Sequence, residues 1–396
     1  MKKQRFNKIC VKTVSFLSVA CMLFMSACNS SGSIEDYPEP VIEVSQEPEE
    51  QTEEQEENTK NIKESDEFDE ASMSEYDSLS EEGKFRFNPT SLNIYYKLQV
   101  KDNPKILKIA RKMMEEVFDT AESFELDDDL ECTDSEFNVA YELAVRSNPF
   151  METVIIDRGE ENDFHVRYFP LGTYDEFNDI IYGEGIAPEE AKIIYDDYAK
   201  TIEDIVNENL TSDNTEMERA EIIYKVLVEN LECDYGEEEN TEEVEEDLDA
   251  IGGYMEPGNT FIERVTSGTI SPGDYQDLYF VMMNQLNVDC LLMGCYGQYH
   301  NQNAELLDKD MGGRPQWFWP IVVVDDKAYH CDIFFDKALL DTQRQSFEDY
   351  ESEMKYFGMS DETREKSMGI YYSTAIGAIN PIKRTVIPEC PEDYKK

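Results

Sequence analysis

The chain has 396 residues, with 88 acidic against 35 basic side chains and a formal net charge of −53. So large an acid excess argues against nucleic acid as a partner, because phosphate backbones are held by Lys and Arg. With three histidines and no Cys-x-x-C, neither a His-rich nor a Cys-rich metal centre of ordinary spacing is expected, and no cofactor is.

The first residues are basic: Lys2, Lys3, Arg5, Lys8 and Lys12. The apolar run from Val14 to Met25 is about a dozen residues long, short of the roughly 20 a membrane-spanning helix needs. A basic flank and a short apolar run read as a signal peptide over residues 1–27. It ends in Phe24-Met25-Ser26-Ala27-Cys28, which resembles the bacterial lipobox, with Met25 in place of the usual Leu. The resemblance implies that Cys28 is acylated and becomes the first mature residue. An ordinary secretory signal cut nearby would leave it unmodified.

Residues 28–84 read as an acidic stalk. Between Ile34 and Lys84 stand 20 acidic and three basic residues. Such a stretch buries too little apolar surface to offset chain entropy, and its self-repulsion extends it. A second acidic run, Glu237 to Asp249, reads as a solvated loop.

From Phe85 on, the chain is long enough for a full core. Helical periodicity spans Ile106 to Thr120 and Ser135 to Arg146, stopped by Asn148-Pro149. Strands are expected over Glu152–Ile156 and His165–Phe169. Pro188 opens a helix to about Asn207. Thr215 and Glu218 form a capping box ahead of Ile222 to Leu231. Gly268 to Tyr275 is turn-like, and Tyr275 to Leu286 reads as a buried helix. Strands follow over Cys290–Tyr296, Trp317–Val324 and Ala328–Phe335. Helices followed by strands point to an α+β fold with helices packed on an antiparallel sheet. Residues 85–210 form an α/β N-terminal extension and 211–396 the main domain.

The run from Trp317 to Asp336 resembles the transglutaminase-like superfamily, which has the papain-like cysteine protease fold. Its members read His-Ala-Trp-Asn, a short strand, Asp-Gly, then Trp-Tyr-x-x-Asp-x-Thr-x-Asp. Trp319, Asp325, Tyr329, Asp332 and Asp336 match without a gap, while Trp317 stands at the His position and Pro320 at the Asn. Upstream, Gly268-Thr269-Ile270-Ser271-Pro272-Gly273-Asp274-Tyr275 is similar to Gly-x-x-x-Cys-x-Gly-Tyr, with Pro272 at the Cys. Asn230-Leu231-Glu232-Cys233-Asp234-Tyr235 resembles the Asn-x-x-Tyr-Asp lead-in.

The resemblance implies acyl transfer through a thiolate at a helix N-terminus, with a His base and an orienting Asp. Pro272 cannot be a nucleophile and Trp317 cannot be a base, so Asp332 is left with nothing to orient. Losing two triad members together removes triad-dependent rate. The site is therefore read as degenerate, with no catalytic residue and no metal.

Tyr275, Trp317 and Trp319 are candidate binding residues; Trp317 and Trp319, on one strand face, would make an aromatic platform for a sugar or peptide, with core packing as the competing reading. A relocated site is conceivable around His330 and Asp332, two apart on one strand face, with Cys290 or Cys295 as thiol.

The expected function is a lipoprotein held to the cell membrane through Cys28. It displays an inactive transglutaminase-like domain that binds an envelope peptide, glycan or protein. The alternatives are a thiol-dependent protease or acyltransferase with a relocated Cys-His site, and an envelope spacer.

Overall fold

The computed structural model describes residues 84–100, 103–127, 130–159, 163–170, 173–174, 180–181, 185–234, 260–296, 317–343, 346–347, 354–368, 372–375 and 388–395. Cys28, the signal, the stalk and the run from Glu237 to Asp249 lie outside them. Among the described residues no helix is long and apolar enough to cross a membrane.

Two helices open the described chain, α1 (Ile94–Gln99) and α2 (Pro104–Phe118). β1 (Ser123–Glu125) follows, then α3 (Asp134–Ser147), started by a capping box between Thr133 and Glu136. The chain then turns through a 3₁₀ segment, Pro149–Thr153, into β2 (Val154–Arg158) and β3 (Asp163–Tyr168). These strands make a small antiparallel sheet in the order β1-β3-β2. The alternation of β3, with Phe164, Val166 and Tyr168 inward, is the period of a half-buried strand.

A two-residue pair, β4 (Thr173–Tyr174) and β5 (Ile180–Ile181), precedes the 22-residue α4 (Pro188–Asn209). The capping box of Thr215 and Glu218 forms and starts α5 (Glu216–Asn230). β6 (Glu232–Cys233), α6 (Phe261–Ser267) and β7 (Thr269–Ile270) come next. Gly268, at φ +76°, ends α6 in the left-handed conformation that glycine adopts freely. Part of the segment expected as a turn is thus β7, paired in parallel with β6.

α7 (Pro272–Gln285) is buried along all its length except at Asp277. A helix apolar or enclosed on every side belongs to the middle of a core. It packs on β8 (Asp289–Tyr296) and β9 (Trp317–Val324). β9 turns into β10 (Lys327–Cys331) through Asp325 (φ 52°) and Asp326 (φ 62°), the positive-φ pair of a two-residue hairpin turn. α8 (Ile333–Gln343), β11 (Phe357–Met359), α9 (Asp361–Met368) and β12 (Tyr372–Ala375) complete the chain. The main sheet runs β11-β10-β9-β8-β12, with every neighbouring pair antiparallel. The fold is α+β, helices on an antiparallel sheet.

One expectation is corrected here. The strand expected from Ala328 to Phe335 stops at Cys331, and Ile333 begins α8. Pairing with β9 ends at His330, and on the β11 side the Asp332 N–H donates to the Tyr356 carbonyl at 2.8 Å. In the run Phe334–Leu340, Asp336, Lys337 and Ala338 are buried in succession while Phe335 and Leu339, four apart, are only partly buried, a helix pattern rather than strand alternation.

The residues before and after position 210 share one hydrophobic core. Across that point the Asn88 N–H donates to Gln285 Oε1 at 2.8 Å, and Asn93 Nδ2 donates to Asn284 Oδ1 at 2.7 Å.

Gly358 is the tightest backbone position on β11. Its φ is +73°, and a Cβ there would lie 2.6 Å from Tyr394 Cβ. Gly358→Ala is expected to cost about 2–4 kcal/mol, strain and overlap together, read as a lower urea midpoint with an unchanged slope.

Candidate functional site

The start of α7 shows how the Pro272 position is built. Ser271 caps the helix: its Oγ accepts from the Asp274 N–H at 3.3 Å, and its own N–H donates to Asp274 Oδ2 at 2.9 Å. Arg264 on α6 pairs with the same carboxylate through two guanidinium nitrogens. Pro272 fills the first helical position, where its missing N–H costs nothing. A nucleophile at a helix N-terminus gains from free N–H groups and the positive end of the dipole. Here a cap and a carboxylate already occupy that end.

One turn further on, Gln276 Nε2 donates to Asp332 Oδ1 at 2.6 Å, with both residues fully buried. Residues i and i+4 share a helix face, so Asp332 stands against the face of α7 that carries Pro272. The Asp332 carbonyl accepts the Tyr224 hydroxyl at 2.9 Å. Asp332 is thus anchored through its N–H, its carbonyl and its carboxylate. Trp317 opens β9 opposite Cys295 in the register; its side chain lies outside the described residues. The structure therefore brings Pro272 and Asp332 to one region and leaves Trp317 located by its backbone.

The other candidate binding residues are interior. Tyr275 is fully buried, and its hydroxyl donates to the Leu231 carbonyl at 2.9 Å. Trp319 is fully buried, and its Nε1 donates to His330 Nδ1 at 2.9 Å. Neither ring presents a face to solvent, which corrects the binding expectation for these two: their area is committed to the core.

His330 and Asp332 do not act together. β10 ends between them. Asp332 turns to Gln276, while His330 points to Asp361, its Nε2 lying 2.8 Å from Asp361 Oδ1. Around that pair, the Cys390 N–H donates to Asp361 Oδ2 at 2.8 Å, and the Arg364 guanidinium stacks 3.3 Å from the centre of the Trp319 ring. Ligand atoms of His330, Asp361 and Cys390 lie within 4.8 Å of one another, a Cys, a His and an Asp in one cluster.

The hydrogen-bond directions decide what this cluster can do. An indole N–H only donates, so His330 Nδ1 must accept and Nε2 must carry the proton given to Asp361. Both ring nitrogens are committed: the His is no base for Cys390, and a metal at Nε2 would have to displace that proton. Burial, with Arg364 nearby, lowers the pKa of His330 despite Asp361. Burial works to raise Asp361, but its bonds to His330 and Cys390 bring it below the ordinary carboxylate value.

The thiols are quiet as well. Burial raises Cys132, Cys290 and Cys390, and pushes Cys331 up to about 12. Of the two candidates for a relocated site, Cys290 is fully buried and raised first by burial, and the side chain of Cys295 lies outside the described residues. A reactive thiol needs the opposite environment, electropositive and partly open.

Sequence reasoning did not single out Gln276, Asp361, Arg364 or Cys390. Gln276 was reachable as the residue one turn after Pro272. Asp361 follows Ser360, whose Oγ accepts from the Thr363 N–H at 3.1 Å, a cap legible in Ser-Asp-Glu-Thr. Cys390, 60 residues beyond His330 in the chain, carried no local signal. A surface cleft of about 530 Å³ lies away from all of these, along β3 beside Arg167 and Phe169. A scan against protein-family models matches none, and a search of the curated proteins finds no match.

Proposed function

We propose that the protein is a lipoprotein anchored through Cys28, presenting on an acidic stalk a transglutaminase-like domain that has lost its chemistry and serves in binding. The observation that carries this reading is the buried bond between Gln276 and Asp332 on the helix face of Pro272. It ties the orienting-Asp position to the nucleophile helix, as the resemblance requires. The same helix start holds a proline, a closed capping box and an ion pair where a thiolate would be needed. The raised thiols of Cys132, Cys290, Cys331 and Cys390 and the committed ring of His330 further support an inactive domain. With Tyr275 and Trp319 enclosed, Trp317 is the candidate binding residue that remains. The partner class is an envelope peptide, glycan or protein, met outside the cytoplasm.

The test has two arms on the full-length protein. Cys28→Ala is expected to move it from the membrane fraction to the soluble exported fraction. Competitive labelling with an iodoacetamide probe at pH 7 is expected to find no cysteine more reactive than a free thiol of ordinary pKa, about 8.5. One cysteine labelling tenfold or more above that reference, by the order of magnitude a lowered pKa confers, would favour the thiol enzyme instead. Membrane retention of the Cys28→Ala protein would remove the anchor.

A further inference from the structure

β11 stands at one edge of the main sheet. An edge strand offers backbone groups with which another chain segment can pair. Here that segment is the chain's own C-terminal end, residues 388–395, running opposite in direction to Gly358–Asp361. The Tyr394 N–H donates to the Gly358 carbonyl at 2.7 Å, and the Asp361 N–H to the Cys390 carbonyl at 2.8 Å. The Cys390 N–H returns a bond to Asp361 Oδ2 at 2.8 Å.

Side chains of the segment fit the same place. Cys390 is fully buried. Asp393 spans the start of α9: its Oδ1 accepts the Ser360 N–H at 2.8 Å and its Oδ2 the Thr363 hydroxyl at 2.9 Å. The Ser360 bond, and after it that of Thr363, holds the Asp393 carboxyl below its ordinary value. Tyr394 enters an aromatic slot. Its ring centre lies 5.9 Å from that of Tyr329 and 6.0 Å from that of Phe357, both edge-on. Gly358 leaves room for it, since a Cβ there would come within 2.6 Å of Tyr394 Cβ. Lys327 on β10 pairs with Glu392.

The segment reaches this edge from the opposite one. Residues 376–387, twelve in all, separate it from β12, and β12 is the far edge of the sheet. It is therefore no continuation of the ladder on which it docks. Backbone bonds to a sheet edge, with pockets for chosen side chains, are how peptide-recognition domains hold an extended peptide.

We propose that β11, the start of α9 and Lys327–Tyr329 of β10 form a recognition site for an extended peptide bearing an Asp-Tyr pair, held closed by the chain's own C-terminal segment as a resident ligand. The Asp is read by an N–H and a hydroxyl at the start of α9, and the Tyr by the slot that Gly358 leaves open. A small apolar side chain three residues before the Asp takes the Cys390 position. A tethered ligand competes at an effective concentration on the order of millimolar, so a free peptide takes the seat once the resident segment is weakened. The inference rests on the binding role proposed above and names the ligand a peptide. Its test involves neither Cys28 nor thiol reactivity, so the two can fail separately.

The experiment is fluorescence anisotropy with a labelled synthetic peptide of the sequence of residues 388–396, at pH 7 in reducing buffer. It is titrated with the full-length protein and with the variant carrying Asp393→Ala and Tyr394→Ala together. The variant is expected to stay folded by circular dichroism and to bind the peptide at least tenfold more tightly than the parent does. Alanine at the Asp or the Tyr position of the peptide should weaken its binding to the variant about tenfold each, the order expected of hydrogen bonds to a charged group and of a lost aromatic slot. The proposal is overturned if the variant unfolds, because a resident ligand must be dispensable to the fold. It is equally overturned if the variant binds no better than the parent, or if the alanine peptides bind as well as the original.

Discussion

Asp336→Ala is expected to lose about 2–6 kcal/mol of stability, more than most single substitutions cost. Asp336 is fully buried. Its Oδ2 accepts the Tyr224 hydroxyl at 2.6 Å and the Tyr356 N–H at 3.1 Å, and its Oδ1 accepts the Lys355 N–H at 3.0 Å. One carboxylate thus pins α5, α8 and the chain leading into β11. Alanine strands the Lys355 and Tyr356 N–H groups, each costing roughly 1–3 kcal/mol when left without a partner, and leaves the Tyr224 hydroxyl to the Asp332 carbonyl alone. Against a typical domain stability of about 5–15 kcal/mol, this comes close to unfolding it. Asp336→Asn keeps one oxygen and should fall between parent and Ala. Urea unfolding followed by circular dichroism measures the order. An Asp336→Ala midpoint equivalent to less than about 1 kcal/mol of loss would mean that the carboxylate does not hold these groups.

The second large effect concerns Trp319 and acid. Trp319→Ala opens a large cavity in the core, removes the surface on which Arg364 stacks and leaves His330 Nδ1 without its donor; about 3–5 kcal/mol is expected. Trp319→Phe keeps most of the apolar volume but still strands Nδ1, for about 1–3 kcal/mol. The pH dependence follows from the direction of the His330 shift. Its folded pKa lies below the unfolded value of 6.5, so between the two the unfolded chain binds more protons. The His330 contribution is then intact above pH 6.5 and is lost as pH falls from there toward the folded pKa. Removing the indole frees Nδ1 for a proton, so the Trp319→Phe protein should show a smaller loss over that range. Nitrogen NMR of His330 should find the proton on Nε2 in the parent at pH 7. A proton on Nδ1 would reverse the direction of the Trp319 bond and with it the argument against a His330 base.

Local features were legible wherever the signal was local. The cap at Thr215 rests on four consecutive residues and Pro188 stands where a first helical turn tolerates proline, while the cap at Ser271 and the first turn of α7 fell in the segment expected as a turn. Period-3.6 patterning located α2, α3 and α7, and β-rich runs located β8 and β9. The end of β10 was not legible. Cys331, Asp332, Ile333, Phe334 and Phe335 suit a strand as well as a helix, and the choice is made by a hydrogen bond from Asp332 to Tyr356 and by burial against α5 and α7. α6, β7 and α9 were missed because short elements gain their stability from neighbours rather than from propensity.

The candidate site divides the same way. Absence of a nucleophile at Pro272 and of a base at Trp317 is a statement about residue type, and sequence suffices for it. The acid excess, the basic first residues and the short apolar run before Cys28 are likewise composition, and the expectations of export and display rest on them alone. Which groups meet is a different kind of fact. That Asp332 faces Gln276, and that His330 faces Trp319 and Asp361 instead of Asp332, depend on contacts between residues 11 to 56 positions apart. Such contacts follow from how helices stack on a sheet, and only the tertiary structure decided them. Hydrogen-bond direction and burial, which set whether a histidine is a base or a fixed donor, exist only once those neighbours are in place.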